Sequence, residues 1–415
     1  MPARPSLRLS RRSWLLGAAT LAGMAGLSWR ARAESAPDPA AFDPAGIRTA
    51  FETAVAEGLI AGGSIYLLHN DGPLMKAAFG LADIEENRPF TTETVVHLAS
   101  TSKPHTSTLI MTLVDEGLID LDTPVSAYVP EIEGIALTGA GTPTAVPTMR
   151  QLLSHTAGFE GLDRMDYGKM VPLIFAPTTF GGATAAITKH GLAYAPGTDY
   201  RYTQLGMVVA AHVAETVSGQ DWETLFRTRL ADPIGASAST WYPTPKTLAG
   251  MAERYNNVNG ILRPVGPRGP RAQGLPIDPA GSLVSDLDGI AALFTLHKNL
   301  GRVGDRQILS EAAIREIHKV QPPAPAYGLG MSLGWLPDDG TKAIVNHGGA
   351  FGTIGWADLE TGVVGAMFIQ TPPGQIPRWG RLIYTALYEA GVGRMVNYMR
   401  TGNPVPPEGR GAPAR

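Results

Sequence analysis

The segment 98-LASTSKPHTS-107 contains a serine that is followed three residues later by a lysine, Ser100 and Lys103. Residues 94–99 form an apolar approach, so we expect Ser100 at the start of a helix. A spacing of three places Lys103 on the same helix face, where its amine can reach the hydroxyl. A serine needs such a base to act as a nucleophile, and burial can lower a lysine pKa enough for that role. The segment alone also fits a serine that caps a helix beside a solvated lysine.

The composition excludes several classes of protein. The 415 residues carry a net charge of −3 with both signs spread along the chain, so there is no basic stripe and we expect no nucleic-acid partner. The chain has no cysteine, which excludes disulfides, thiolate metal sites and cysteine nucleophiles. With 44% hydrophobic residues, it is long enough for a large buried core.

The N-terminus has the features of an export signal. Four arginines precede a short apolar run at 14–27, and 31-ARA-33 fits a cleavage site. The segment 10-SRRSWLL-16 resembles the twin-arginine signal, so we predict a signal peptide over residues 1–33 and a periplasmic or secreted protein. An uncleaved membrane anchor is the alternative. No later segment reaches about 18 uninterrupted apolar residues, so we expect no stable membrane insertion after the signal is removed.

The order of helical and strand patterns predicts an α+β protein. After a linker at 34–44, a helix is followed by two strands that a 70-NDGP-73 turn joins into a hairpin. A mostly helical middle follows, then four strands and a closing helix. We therefore predict one domain over 45–398, in which an α+β lobe (about 45–103 and 326–398) and an all-helical lobe (about 104–325) enclose the active site. Residues 399–415 have the composition of a disordered tail. The predicted helices are 47–59, 107–116, 149–154, 205–218, 283–300 and 378–391, and the predicted strands are 64–68, 75–79, 329–336, 343–346, 352–358 and 363–370.

Three further segments change the interpretation of Ser100. The triplet 202-YTQ-204 precedes a long apolar helix, 346-NHGGAFGT-353 follows a short strand, and 147-PTMRQLLSHTAGF-159 lies between them and Ser100. Together with the Ser-x-x-Lys pair, they resemble the serine β-lactamase and penicillin-binding-protein superfamily. The resemblance is to its class C-like branch, which includes class C β-lactamases, D-amino-acid peptidases and family VIII carboxylesterases. It covers residues 45–395 and implies an antiparallel sheet flanked by N- and C-terminal helices.

The resemblance assigns roles to individual residues. It implies that Ser100 is the nucleophile, that Lys103 helps to deprotonate it and that Tyr202 shares the proton transfer; nearby Tyr200 is a rival for that last role. It also implies an oxyanion hole made by the backbone N–H groups of Ser100 and Ala350. The remaining residues that it places around the substrate are Gln204, His347, Gly348 and Gly349.

Two residues depart from the pattern of the lactam-cleaving members. Gln204 stands where they have the asparagine that contacts the amide side chain of the substrate, and His347 stands where many have a lysine. A histidine is largely uncharged near neutral pH, so a permanent cation for a β-lactam carboxylate is missing. Both departures favour ester hydrolysis. Of the other histidines, His155 is predicted to be buried and structural, and a metal site made of His97, His105 and His155 lacks a ligand spacing.

The sequence therefore predicts an exported serine hydrolase that needs no metal or cofactor and forms an acyl-enzyme on Ser100. The expected substrate is a small-molecule ester or amide, with short-chain carboxylic esters preferred. A β-lactamase or a D-amino-acid peptidase or amidase on the same scaffold is the alternative. A non-catalytic binding protein and an acyltransferase are further alternatives, and the sequence gives no oligomeric state.

Overall fold

The computed structural model describes residues 41–139, 141–142, 144–165, 167–266, 277–334, 344–372 and 377–393. The predicted signal peptide and the predicted tail at 399–415 lie outside these residues. The α-helices are α1 Ala45–Ala56, α2 Ser102–Asp115, α3 Met149–Leu153, α4 Tyr167–Met170, α5 Phe180–His190, α6 Leu205–Ser218, α7 Trp222–Phe226, α8 Pro245–Gly250, α9 Leu287–Lys298, α10 Glu311–Ile317 and α11 Pro377–Glu389. The strands are β1 Gly62–His69, β2 Gly72–Asp83, β3 Arg88–Pro89, β4 Val96–His97, β5 Tyr255–Val258, β6 Ile261–Pro264, β7 Val284–Ser285, β8 Arg302–Val303, β9 Arg306–Gln307, β10 Ser332–Gly334, β11 Ile344–Gly348, β12 Ile354–Asp358 and β13 Val363–Phe368.

Both ends of the chain build one seven-stranded antiparallel sheet in the order β10-β11-β12-β13-β1-β2-β3. The first hairpin turns at Asn70 and Asp71, whose φ angles of 47° and 68° match the turn that a right-handed strand twist favours. In the centre, every residue of β13 and most residues of β1 are buried, because both faces of the sheet are covered. The predicted sheet and its flanking helices are therefore confirmed.

Two layers cover the sheet. On one face, α1 and α11 pack through a cluster that includes Phe51, Trp379 and Ile383. On the other face lies α9, whose Phe294 sits so close to β12 that a Cβ on Gly355 would meet it at 2.2 Å. Only glycine fits there, and this close approach joins the sheet to the mainly helical middle of the chain. No helix in the described part of the chain is long and apolar enough to cross a membrane.

The middle of the chain differs from its predicted form in two respects. It contains the hairpins β5–β6 and β8–β9 and the short strand β7, which pairs with β4 of the preceding segment, so "all-helical" is too strict a description. The β5–β6 hairpin turns at Asn259 and Gly260, both with positive φ, which is an Asn-Gly turn signal that the sequence analysis did not use. In addition, the helix predicted at 283–300 begins only at Leu287, because Asp286 caps it and residues 284–285 pair with β4.

Candidate active site

The turn that carries Ser100 is held at both ends. On its N-terminal side, β4 pairs with β7, and the Leu98 N–H donates to the carbonyl of Leu283 at 3.0 Å. Ala99 then adopts a left-handed conformation with φ 50°, which is uncommon for a residue other than glycine and reverses the chain before α2. Ser102 closes the turn by donating from its hydroxyl to the carbonyl of Ala99 at 2.7 Å. Ser100 therefore lies in a fixed bend directly before the helix.

Lys103 lies on the first turn of α2, inside the protein. Its Nζ donates to Ser100 Oγ at 3.2 Å and to the carbonyl of Ala280 at 3.1 Å. The side chain is fully buried, and this burial lowers the pKa of Lys103 from 10.5 to about 8. The negative charge of Asp278 acts in the opposite direction and raises that pKa. An appreciable fraction of Lys103 is therefore neutral just above neutral pH, as a general base for Ser100 requires.

Tyr202 completes the contact with the nucleophile. Its ring lies under the lysine, with Nζ 4.5 Å from the ring centroid, and its side chain is hydrogen-bonded to that of Ser100. Burial raises the pKa of Tyr202, so the phenol keeps its proton at neutral pH and is ready to donate it. Tyr200, the rival candidate, instead contacts the rings of His155 and Tyr327. The geometry brings Tyr202, and not Tyr200, to Ser100 and Lys103.

Asp278 is a site residue that the sequence analysis missed. It is buried beside Lys103, and Gln204 donates from Nε2 to its Oδ2 at 2.5 Å. Burial raises the pKa of Asp278 from 3.8 to about 6, while Lys103 opposes that shift. The predicted substrate-binding amide of Gln204 is thus engaged with a carboxylate. The residue stands in a loop without a strand or helix pattern, so no sequence signal identified it.

Both site histidines are neutral and joined through Tyr327. The backbone N–H of Thr203 donates to His155 Nδ1 at 3.4 Å, so His155 carries its proton on Nε2 and donates to Tyr327 Oη at 3.2 Å. The Tyr327 hydroxyl in turn donates to His347 Nε2 at 3.0 Å, and His347 Nδ1–H donates to the carbonyl of Gly348 at 2.9 Å. Burial lowers the pKa of His347 to about 3 and that of His155 well below its ordinary value. His347 thus supplies no cation, and His155 is buried, as predicted.

The third motif is fastened to the turn that carries the nucleophile. The hydroxyl of Thr353 donates to the carbonyl of Leu98 at 2.7 Å, and the hydroxyls of Thr353 and Thr101 lie 3.0 Å apart. A Cβ on Gly349 would meet Thr353 Oγ1 at 2.1 Å and the carbonyl of Leu98 at 2.2 Å, so only glycine fits. These contacts hold the exposed Ala350 on the same rim as the nucleophile turn.

The oxyanion hole that the motifs imply, made by the N–H groups of Ser100 and Ala350, stays a prediction. Among the backbone hydrogen bonds outside helices and strands in the described ranges, none has the N–H of Ser100 or of Ala350 as its donor. The structure thus brings Ser100, Lys103, Tyr202 and Gln204 into one constellation, with the third motif attached beside it. Their catalytic roles remain predictions. The site residues that the motifs do not indicate are Asp278 and Tyr327.

Comparisons with known proteins agree with this arrangement. The family model described as "Beta-lactamase" matches residues 47–385. Esterase EstB of Burkholderia gladioli is 26% identical over 357 residues, which cover 78% of this chain and 88% of that protein. Penicillin-binding protein 4 of Amycolatopsis lactamdurans is 31% identical over 202 residues, which cover 49% of this chain and 50% of that protein. The solved structure of EstCE1, a hydrolase with promiscuous acyltransferase activity, has a TM-score of 0.71 at 20% identity and covers 83% of this chain and 97% of its own.

The family match extends over most of the chain and includes every residue of the constellation. The resemblance stated from the motifs is therefore confirmed. The chain belongs to the beta-lactamase family and is a serine hydrolase of the β-lactamase and penicillin-binding-protein type.

Proposed function

We propose that this protein is a carboxylesterase that hydrolyses short-chain esters through an acyl-enzyme on Ser100. One observation carries the proposal: Ser100 Oγ lies 3.2 Å from the Nζ of a fully buried lysine whose pKa is about 8. Burial of a lysine takes its charge out of water and lowers the stability of the protein, so a fully buried lysine indicates a functional role. The hydrogen bond between Ser100 and Tyr202 adds a second path for the same proton.

In the acylation step, the hydroxyl proton of Ser100 passes to neutral Lys103, directly or through Tyr202. Oγ then bonds to the ester carbonyl carbon, and the carbonyl π electrons move to oxygen. The N–H groups of Ser100 and Ala350 receive the oxyanion; one such donor typically contributes about 10²–10³-fold to the rate. The bond to the alkoxide breaks, and Tyr202, resupplied by Lys103, protonates the leaving oxygen. Water attacks the acyl-enzyme through the same proton transfers and restores the serine.

The preference for esters over β-lactams rests on His347. Both of its ring nitrogens are engaged, with Tyr327 and with the carbonyl of Gly348, and its pKa is lowered to about 3. The ring therefore remains neutral at physiological pH and gives a lactam carboxylate no cation. The similarity to esterase EstB supports the same choice. A β-lactamase or D-amino-acid peptidase or amidase remains the alternative, because relatives of that kind, such as the E. coli carboxypeptidase/endopeptidase AmpH at 26% identity, also match.

The test compares residues 34–415 as wild type, Ser100→Ala and Ser107→Ala on p-nitrophenyl butyrate and on a chromogenic cephalosporin. Ser107 is the matched control, because it is a buried serine on the same helix whose hydroxyl has no hydrogen-bond partner in the described part of the chain. We expect ester turnover in the wild type and in Ser107→Ala, its loss in Ser100→Ala, and little cephalosporin cleavage. Rapid cephalosporin cleavage by the wild type would favour the β-lactamase alternative. Ester turnover that survives Ser100→Ala would refute the mechanism.

We also propose that the protein is exported, as its twin-arginine-like segment suggests. The expected outcome in a Gram-negative host is a periplasmic protein whose first residue, measured by mass spectrometry, is Glu34. A full-length protein confined to the cytoplasm would contradict this proposal.

A further inference from the structure

Asp278 organises a tight loop beside the nucleophile helix. Its Oδ1 accepts the N–H of Ala280 at 2.9 Å, and its backbone carbonyl accepts those of Gly281 at 2.9 Å and Ser282 at 2.8 Å. Its own N–H donates to the hydroxyl of Ser282 at 3.0 Å. The side chain and backbone of one residue therefore fix the conformation of residues 278–282.

This loop is fastened to α2 at two points one helical turn apart. The carbonyl of Ala280 accepts Lys103 Nζ at 3.1 Å, and the carbonyl of Pro279 accepts the hydroxyl of Thr106 at 2.5 Å. The carboxylate of Asp278 accepts the Ala280 N–H and so orients the peptide whose oxygen accepts Thr106, while its backbone carbonyl accepts the Gly281 N–H of the next peptide, whose oxygen holds the lysine. The position of Nζ between Ser100 and the loop thus depends on Asp278.

Asp278 also acts on Lys103 through its charge. Besides Gln204, which donates to Asp278, the titratable side chains coupled to the two residues in the described ranges are Tyr202, His155 and His347. The tyrosine keeps its proton and both histidines are neutral. In the described part of the chain, Asp278 is therefore the one charge that shifts the proton affinity of Lys103. The coupling acts in a buried environment, where screening by solvent is weak.

We propose that Asp278 is a positioning residue that holds Lys103 toward Ser100 and, through its charge, sets the pH range in which Lys103 accepts the serine proton. The inference rests on the proposed role of Lys103 as the base. It assigns Asp278 no contact with the substrate. The wild-type enzyme then reaches its full acylation rate only above neutral pH. A variant without the Asp278 charge keeps a larger fraction of that rate at lower pH.

Asp278→Asn is the decisive variant, because the amide can keep the hydrogen bonds of the loop. Its Oδ1 still accepts the Ala280 N–H, and its Nδ2 can donate to Gln204 Oε1, which is buried and finds no partner among the residues that the structure describes. Loss of an opposite charge should lower the pKa of Lys103 by about 1 unit from its wild-type value. At pH 6.5, the fraction of the plateau rate should then rise about eightfold.

The measurement is the rate at which diisopropyl fluorophosphate modifies Ser100, recorded between pH 5.5 and pH 10. In this reaction Oγ bonds to phosphorus, fluoride leaves, and Lys103 takes the serine proton, so no knowledge of the natural substrate is needed. The matched control is Asp286→Asn, which removes another carboxylate that accepts a backbone N–H, that of Gly289 at 2.9 Å, away from Lys103. Asp278→Ser is a second variant, since a hydroxyl can also cap the Ala280 N–H.

We expect the acid limb to move toward lower pH in both Asp278 variants and to remain unchanged in Asp286→Asn. A uniform loss of rate with an unmoved limb would overturn the proposal, because that is the result of a purely structural role. A shift toward higher pH would overturn it as well. A wild type whose Ser100 is not modified at any pH would refute the proposed function, and this inference with it.

Discussion

Removal of one hydroxyl, in Tyr327→Phe, tests the relay between the two site histidines. The tyrosine is 4% exposed and its oxygen accepts from His155 at 3.2 Å and donates to His347 at 3.0 Å. Phenylalanine keeps the ring contacts but leaves one buried donor and one buried acceptor without a partner. Each buried group left in this state costs about 1–3 kcal/mol, so we expect the free energy of unfolding to fall by about 2–6 kcal/mol.

The assay is urea unfolding at pH 7, followed by tryptophan fluorescence, with Tyr200→Phe as the matched control. Tyr200 packs against the same rings, 6.2 Å from His155 and 6.0 Å from Tyr327, so both variants remove one hydroxyl from one aromatic cluster. The control should change the free energy of unfolding by less than about 0.5 kcal/mol, as is usual for a change that leaves no buried group without a partner. Equal effects of the two substitutions would refute the relay and the neutral state that it gives His347.

Two further outcomes follow from burial at the site. Lowering the pH from 7 to 5.5 should reduce the free energy of unfolding by at least about 3 kcal/mol, because the buried His97, His105 and His347, with folded pKa values of about 3 to about 4, take up protons near pH 6.5 only when the chain unfolds. The lowered pKa values of His155 and His297 act in the same direction. The stability that these neutral histidines allow is present above pH 6.5 and is lost as the pH falls. The raised pKa of Asp278 acts in the opposite direction and offsets a smaller part of the loss. Urea titrations that show equal or greater stability at pH 5.5 would contradict this prediction. Gly349→Ala should lower kcat/KM by about 10²-fold or more, since its Cβ would meet neighbouring oxygens at 2.1 and 2.2 Å and displace the Ala350 N–H. Gly46→Ala in α1, whose Cβ would meet nothing within 4 Å, should stay within about threefold of the wild type, and similar losses in both would count against a fixed oxyanion hole.

The regular elements were predictable because their patterns are local. Helix α6 was predicted with the same ends that it has, since its apolar run stops at Gly219, which takes the left-handed conformation with φ 65° that ends many helices. Helix α2 begins at Ser102 rather than at the predicted 107. Its first turns contain mainly polar residues, so they show no apolar helical pattern in the sequence. Those polar side chains are buried because the loop at 278–282 and the third motif lie against them, and no periodicity in the sequence reports that.

The site residues were predictable only where they belong to short sequence motifs. The Ser-x-x-Lys spacing indicated the contact between Ser100 and Lys103, because three residues make nearly one helical turn. Asp278 follows Lys103 by 175 positions in an irregular loop, so its proximity depends on the tertiary fold alone. The contact of Gln204 with Asp278 could not be predicted for the same reason. This contact explains why a glutamine stands at position 204.

The sheet made from both chain ends has a consequence for the timing of synthesis. Strand β1 pairs along its length with β13, and Leu98 accepts the hydroxyl of Thr353, 255 residues further along the chain. At about 5–20 residues per second, Thr353 leaves the ribosome roughly 13 to 50 seconds after Leu98. During that interval β1 presents an unsatisfied apolar edge, of the kind that invites wrong partners. The nucleophile thus receives its full surroundings only when translation is nearly finished, and a truncated product lacking the last strands would be both inactive and prone to aggregate.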